Sequence, residues 1–268
     1  MTGALVLWCS DVNMEEVWIN KIDKGERRVV KDVVTEEIPL TIYYNGKELA
    51  TLLCSPNKLK ELVVGFLYSL GLIAGNNEIK QLTTDDKRWT AAVATKRKNN
   101  RGEEIFKRVF TSGCGKGTIL YSADAVDRKR LDSKLRINHE KISQIMVQFH
   151  RSSISFQRTG GVHSAALTTG ENIEIFMEDI GRHNALDKVI GEALLKNFKM
   201  KNSIMLTSGR LSSEIVLKAI RCDIPVLVTR SAPTDQAVKI ARERNLTLVG
   251  FVRGKRMNIY AGEERITL

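Results

Sequence analysis

From residue 35 onward the hydrophobic positions follow two periods in turn. Pro39-Leu40-Thr41-Ile42-Tyr43-Tyr44 and Glu48-Leu49-Ala50-Thr51-Leu52-Leu53-Cys54 are strand-like runs on either side of Asn45-Gly46. That dipeptide accepts the positive φ values of a type I′ turn, so the stretch predicts a β-hairpin. Leu59, Leu62, Val63, Phe66, Leu67 and Leu70 then recur at helical spacing, with Ser55 as a cap candidate, Pro56 suited to the first turn and Gly71 as the stop. This helix is expected to pack on the hairpin. Residues 88–95 and 104–111 predict two further strands joined by a basic loop, completing a small α+β unit that delivers the chain to residue 114 at a strand end.

Asn138 is a cap candidate for a helix marked by Ile142, Ile145, Met146 and Phe149. Beyond it, strands and helices alternate. Strands are predicted at 161–167, 173–177, 203–207, 225–229 and 246–252, and helices at 184–198, 212–221 and 234–244. Such alternation predicts a three-layer α/β domain around a largely parallel sheet. Residues 1–34 are polar and irregular in pattern and read as a partly ordered extension. The expected organisation is an extension over 1–34, a small α+β domain over 35–110 and an α/β domain over 111–268.

With 268 residues, 43% hydrophobic and 27% charged, the chain can bury a sizeable core divided between two domains. No apolar run approaches the roughly 18 residues of a membrane span, so no membrane association is expected. Ala4 to Cys9 is too short for an export signal and meets Asp11, Glu15 and Glu16. Cys9, Cys54, Cys114 and Cys222 are scattered with no CxxC, which fits a reduced, cytoplasmic setting and argues against a disulfide framework or a cysteine-based zinc site. Lys and Arg outnumber Asp and Glu by 42 to 31, a net charge of +11. Such an excess implies an anionic ligand or partner. Part of it lies in Lys96–Arg101 and Asp127–Arg130, which carry no interleaved aromatics and read as solvated loops.

Cys114 stands in Ser112-Gly113-Cys114-Gly115-Lys116-Gly117. Its glycines leave the sulfur uncrowded, while Lys116 and clustered backbone N–H groups would favour the thiolate. Two readings stay open: a working nucleophile, or a small hydrophobe in a glycine-rich turn. Three loops leave the carboxyl ends of predicted parallel strands, where such folds bind ligands. These are Thr207-Ser208-Gly209-Arg210, Ser231-Ala232-Pro233-Thr234 and Phe251-Val252-Arg253-Gly254-Lys255-Arg256. Each could be an ordinary turn or cap. Together at one sheet edge they suit a phosphate-bearing ligand, through helix N-termini and arginines. His163 follows a diglycine and His183 follows Arg182 in a charged segment opening a helix; either could be an acid, a base or a ligand contact. Asp187, four residues on from His183, could orient its ring or make a simple helix-surface pair. His139 and His150 read as surface residues. His-x-Glu with Pro-Cys-x-x-Cys, Gly-x-Ser-x-Gly and Walker loops are all absent.

Several segments together resemble the FdhD family, the sulfurtransferase accessory proteins of formate dehydrogenase. They include Thr35–Ile42, Glu61–Leu67, Ser112–Gly115, Thr159–His163, the block Glu178–Lys188, Thr207–Arg210 and Phe251–Asn258. The resemblance implies a cytidine deaminase-like fold without the zinc site, and a sulfur-carrier role in maturing the molybdenum cofactor. It implies that Cys114 forms a persulfide loaded by a cysteine desulfurase. Residues 251–256 would then meet the molybdenum bis(molybdopterin guanine dinucleotide) cofactor, with Ser208, Gly209 and Arg210 as further contacts. Lys116, His163, Arg182 and His183 are possible supporting residues. Where many members carry a second cysteine, this chain has Gly117, which leaves a one-cysteine carrier. Three other readings compete: a cofactor-holding chaperone without sulfur transfer, a basic RNA-binding protein, and a thiol hydrolase pairing Cys114 with His163 or His183. A symmetric homodimer is expected, symmetric dimers being the commonest assembly.

Overall fold

The computed structural model describes residues 12–96 and 130–268. Cys9, Cys114, Lys116, the strand expected at 104–111, nearly all of both basic loops and the expected boundary at residue 110 lie outside the described residues.

The irregular extension expected before residue 35 is, from residue 14, a long two-stranded arm. Strand β1 (Met14–Asp23) pairs antiparallel along its whole length with β2 (Glu26–Thr35) about a turn at Lys24 and Gly25, both with positive φ. Its apolar residues fall on both faces, as the adjacent Val17, Trp18 and Ile19 show. That arrangement erases the alternation by which a half-buried strand is recognised.

Strands β3 (Ile38–Tyr44) and β4 (Lys47–Cys54) form the expected hairpin, with Asn45 at φ 50° and Gly46 at φ 82°. Helix α1 (Leu59–Leu70) follows, its N-cap being Lys58 in a left-handed conformation and not Ser55. Strand β5 (Ile79–Asp85), which the hydrophobic pattern passed over, and β6 (Thr90–Thr95) complete a sheet of order β4-β3-β6-β5. Its core joins Leu40, Ile42 and Leu52 to Leu62, Val63 and Leu67 of α1.

The larger sheet begins after a short strand β7 (Ile137–Asn138), helix α2 (His139–Ser152) and helix α3 (Ile154–Thr159). Asn138 caps α2 as expected, accepting the Glu140 N–H at 2.8 Å. Strands β8 (His163–Thr168) and β9 (Ile173–Asp179) lead into helix α4 (Arg182–Leu195). Then β10 (Ile204–Thr207), α5 (Ser213–Arg221), β11 (Val226–Thr229), α6 (Asp235–Glu243) and β12 (Thr247–Arg253) alternate. The chain closes with β13 (Arg256–Ala261) and β14 (Ile266–Thr267), the latter beside β7.

The sheet order is β13-β12-β11-β10-β8-β9. Only β10, β11 and β12 run parallel; β8, β9 and β13 are antiparallel to their neighbours. The expectation of a largely parallel sheet is corrected to a mixed one, because β8–β9 and β12–β13 are joined by hairpins and not by crossover helices. One face is covered by α4, α5 and α6, through residues such as Leu167, Met205, Leu186 and Ile220. The other is covered by α2, through Ala166, Leu206, Ile145 and Phe149. Helices therefore lie on both sides of the sheet.

Helices α1 and α4 cross closely where Gly65 faces Gly191: a Cβ on either would collide with the backbone of the other helix. This contact packs the helix of the smaller sheet against α4, the helix that follows β9 of the larger one.

Candidate functional site

The parallel trio β10–β12 ends on one edge, and the three segments expected to bind a ligand lie there side by side. They are tied to one another by backbone bonds. Leu211 N–H donates to the Ala232 carbonyl at 3.0 Å, Thr234 N–H to Leu211 at 2.9 Å, and Phe251 N–H to Ser231 at 2.9 Å. At the ends of β10, β11 and β9 the last side chain turns back on the loop. Thr207 Oγ1 accepts the Gly209 N–H at 3.2 Å, Thr229 Oγ1 the Ser231 N–H at 3.0 Å, and Asp179 Oδ1 the Gly181 N–H at 2.8 Å.

This local closure changes how the edge can meet an anion. Helix α5, predicted over 212–221, starts at Ser213, so the 207–210 loop precedes the helix, and the N–H groups of Ser208, Gly209 and Leu211 are already bonded within the protein. Those N–H groups are therefore not free to meet an anion as a helix terminus would. Gly209 serves a different purpose: the Arg182 side chain lies across it, so that an added Cβ would stand 2.9 Å from Arg182 Cβ.

A cleft of about 460 Å³ opens beside these loops. His163, Ser208 and Arg253, three residues singled out in the sequence, line it together with Arg230, Ser231, Phe149, Phe156, His150, Ser153 and Ser164. Gly254 and Lys255 line a second hollow of about 260 Å³ against α2, with His139 and Val147. Residues 251–256 are not a loop leaving the last strand: Phe251, Val252 and Arg253 end β12, and Arg256 starts β13 opposite Arg253. Phe251 takes φ 53° at an irregularity in that ladder, while Val252 points into the core beneath α2.

His163 Nδ1 lies 3.2 Å from Ser208 Oγ, which also accepts the Ser164 N–H at 3.0 Å. Burial first, then the charges of Arg182, His183 and Arg210, push His163 below its ordinary value of 6.5, against the pull of Asp179. The ring is therefore neutral at pH 7 and can accept the Ser208 hydroxyl proton as a hydrogen bond. A histidine whose folded pKa is depressed takes up protons more readily when unfolded. Stability should therefore fall as pH drops below 6.5. In a series of unfolding curves against pH, His163→Gln, which keeps an acceptor for Ser208, should give a shallower acid limb than the parent chain.

His183 was paired in sequence with Asp187, and the structure separates them. His183 Nε2 lies 3.0 Å from Glu214 Oε2 on α5. Contact with this ring is the first cause holding Glu214 below its ordinary 4.5, against burial, with Lys218 and Arg182 adding to it. Glu214 thus adds stability above 4.5 that is lost as pH falls further, a window distinct from that of His163. Asp187 instead turns inward to Lys218 at 2.5 Å and to the Ser69 hydroxyl at 2.7 Å.

The family model for the FdhD/NarQ family matches residues 35–267. The chain belongs to the FdhD/NarQ family. It is 42% identical over 251 residues to the sulfur carrier protein FdhD of Bacillus pumilus, covering 93% of this chain and 96% of that protein. With the sulfur carrier protein FdhD of Bacillus subtilis it shares 39% over 255 residues, 94% and 97% of the two chains. A crystal structure from Desulfotalea psychrophila, described as a candidate formate dehydrogenase accessory protein, matches with a TM-score of 0.77 at 26% identity over 96% of this chain and 99% of that one.

In this FdhD/NarQ chain the block Glu178–Lys188 faces two ways. Arg182 lies against the Gly209 loop and His183 against Glu214 of α5, and Arg182 Nε is buried with no hydrogen-bond partner among the described residues. The other polar members of the block hold the architecture. Asp179, fully buried, meets Lys188 Nζ at 2.6 Å and accepts from the Ser55 N–H at 3.1 Å and from Asn184 Nδ2 at 2.9 Å. Lys188 donates on to the Ser55 carbonyl at 3.2 Å and to Asn57 Oδ1 at 2.8 Å. Ser55 is thus a link between the two sheets. Glu178 accepts the Ser155 and Phe156 N–H groups at 3.0 and 3.1 Å, anchoring α3, and burial raises its pKa against those bonds.

Sequence reasoning missed Arg230, Phe149 and Phe156. Arg230 had a usable signal: it follows β11 at the position Ser208 holds after β10. The two phenylalanines carried only the signature of an amphipathic helix. Among the described residues no group of three or more His, Cys, Asp or Glu side chains is placed to hold a metal ion, and no helix is long and apolar enough to cross a membrane. Cys54 and Cys222 are buried; burial first, then Asp179, pushes Cys54 up to about 12, and burial with Asp187 raises Cys222 further. Neither is a nucleophile at neutral pH.

Proposed function

We propose that this chain is a sulfur carrier for formate dehydrogenase, a transferase that holds sulfur as a persulfide on Cys114 while its cleft binds the molybdenum bis(molybdopterin guanine dinucleotide) cofactor as substrate. The Cys114 thiolate attacks the terminal sulfur of a persulfide on a cysteine desulfurase, the donor thiolate leaves, and Cys114 keeps the S–S bond. Delivery of that sulfur as sulfide takes two electrons, which a thiol reductant supplies.

The observation that carries the reading is the meeting of Arg230, Arg253, Ser208 and His163 in one open cleft at the ends of β10–β12. Guanidinium groups there suit phosphate oxygens, and Phe156, 40% exposed beside them, offers an apolar surface for a base. The names of the relatives support the sulfur chemistry, and the raised pKa values of Cys54 and Cys222 are consistent with Cys114 in that role. We read the larger unit as cytidine deaminase-like in its layering, working in the cytoplasm without zinc.

Incubation with a cysteine desulfurase and cysteine should add one sulfur atom to the intact chain, removable by a thiol reductant, mapping to Cys114 and absent from Cys114→Ser. If the serine variant still activates formate dehydrogenase fully, the chain acts as a cofactor-holding chaperone and not as a carrier. Arg230→Gln and Arg253→Gln should each weaken binding of guanosine diphosphate roughly tenfold, an effect of one charge-assisted contact, measurable by calorimetry and diminished at high salt.

A further inference from the structure

Of the two phenylalanines lining the cleft, only one presents its ring to solvent. Phe149 is buried against Phe176, with ring centroids 5.7 Å apart, whereas Phe156 is 40% exposed. Phe156 belongs to α3, six residues long, and isolated helices shorter than roughly 12 residues do not persist by themselves. Ser153 stands at its N-cap without a side-chain cap bond, its hydroxyl donating instead to the Phe149 carbonyl at 3.0 Å. The opening N–H groups of α3 therefore need acceptors from another element.

They find them in one carboxylate of β9. Glu178 is 1% exposed and is not among the residues lining the cleft. Its two oxygens divide between two amides: Oε2 accepts the Ser155 N–H at 3.0 Å and Oε1 the Phe156 N–H at 3.1 Å. Ser164 Oγ, from the residue opposite Glu178 in the β8–β9 ladder, lies 3.3 Å from Oε1 and 2.9 Å from Ser153 Oγ. Ser153, Phe156 and Ser164 all line the cleft, so one buried group outside it holds a whole wall. A carboxylate suits the task because it offers two acceptor oxygens, where a glutamine amide offers one and turns its NH2 against the second N–H.

We propose that Glu178 is a positioning residue for nucleotide binding, fixing α3 so that the Phe156 ring stands against the base while Arg230 and Arg253 take the phosphates. The proposal rests on the reading of the cleft as a nucleotide site and adds a division of labour within it. Arg230 follows β11 and Arg253 ends β12. Loosening α3 should therefore leave the phosphate contacts in place and remove the pre-set contact to the base, so that ordering the helix is charged against binding.

The test is calorimetric titration of the full chain and of Glu178→Gln with guanosine diphosphate and, separately, with inorganic pyrophosphate, thermal unfolding serving as the check on folding. The variant should bind guanosine diphosphate roughly fivefold more weakly, the scale of one aromatic contact, and pyrophosphate as the parent does. Phe156→Ala should show the same split, and adding Glu178→Gln to it should weaken binding no further, because Glu178 acts through that ring. If Glu178→Gln does not fold, hydrogen exchange in the parent chain decides: guanosine diphosphate should slow exchange of the Ser155 and Phe156 amides, and pyrophosphate should not. Equal weakening for both ligands, additive losses in the double variant, or exchange at those amides indifferent to guanosine diphosphate would overturn the proposal. A parent chain that does not bind guanosine diphosphate overturns the reading of the cleft and this proposal with it. Parent and variant binding it equally well overturns this proposal alone.

Discussion

Gly65→Ala or Gly191→Ala will cost about 3 kcal/mol or more of folding stability, toward the upper end of overpacking effects. At this crossing each added Cβ meets main chain and not a movable side chain. The new methyl at 65 collides with the Asp187 carbonyl, and the one at 191 with that of Glu61. Backbone in the middle of a helix cannot rotate aside, so the helices must separate and the apolar contacts between the two cores loosen with them. Urea unfolding will show the loss as a lowered midpoint. Helix α4 begins at Arg182, so any fraction that still folds should also bind guanosine diphosphate more weakly. A variant with parent stability would show that α1 and α4 do not pack as described.

The second large effect lies at the fully buried pair of Asp179 and Lys188. Asp179→Asn keeps the shape of the side chain but leaves the ammonium of Lys188, 0% exposed, without its counter-charge. Lys188→Met strands the carboxylate in the same way. Breaking a buried pair from one side costs roughly 3–5 kcal/mol, and either variant should lose stability on that scale. Combining Asp179→Asn with Lys188→Met removes both charges, and the double variant should be less destabilised than the sum of the two. That non-additivity, read from a double-mutant cycle of urea midpoints, distinguishes charge pairing from simple loss of packing. Additive losses would count against it.

Both predictions concern residues whose importance is faint in the linear chain. Gly65 stands in a helical stripe as an unremarked small residue, and nothing local says that Gly191 faces it from 126 positions away. Asp179 and Lys188 look like two charges in a charged block, although their partners Ser55 and Asn57 belong to the connection between β4 and α1. Ser55 illustrates the difficulty. As a serine ahead of a helical stripe it has the local credentials of a cap, yet tertiary contacts claim it: the Ile180 N–H donates to its hydroxyl at 3.1 Å.

Features governed by neighbours within a few residues were legible. Asn45-Gly46 predicts its turn, Asn138 its helix start, and Thr234 the start of α6, where its hydroxyl accepts the Ala237 N–H at 3.3 Å. The arm was not legible, because period-two alternation marks a strand with one wet face and one dry face, and this strand pair has apolar residues on both. β13 was missed for a related reason. Its half-buried and exposed residues, such as Asn258 and Ile259, show no sharp contrast, and Gly254-Lys255 between two arginines looks more like a cationic loop than the end of a hairpin.

Taken alone, the order of residues determined the succession of most strands and helices, the alternation that gives the larger sheet its two helical covers, and the family to which the chain belongs. These follow from backbone preferences and side-chain periods, which act over a turn or two. Tertiary structure decided which strands run parallel, which charge neutralises which, and that Arg230 joins Ser208, His163 and Arg253 around one cleft. A buried ion needs a counter-charge and a close-packed helix crossing needs space, and in this fold both are supplied by segments more than a hundred residues distant or from a neighbouring element, so only the folded chain brings them together.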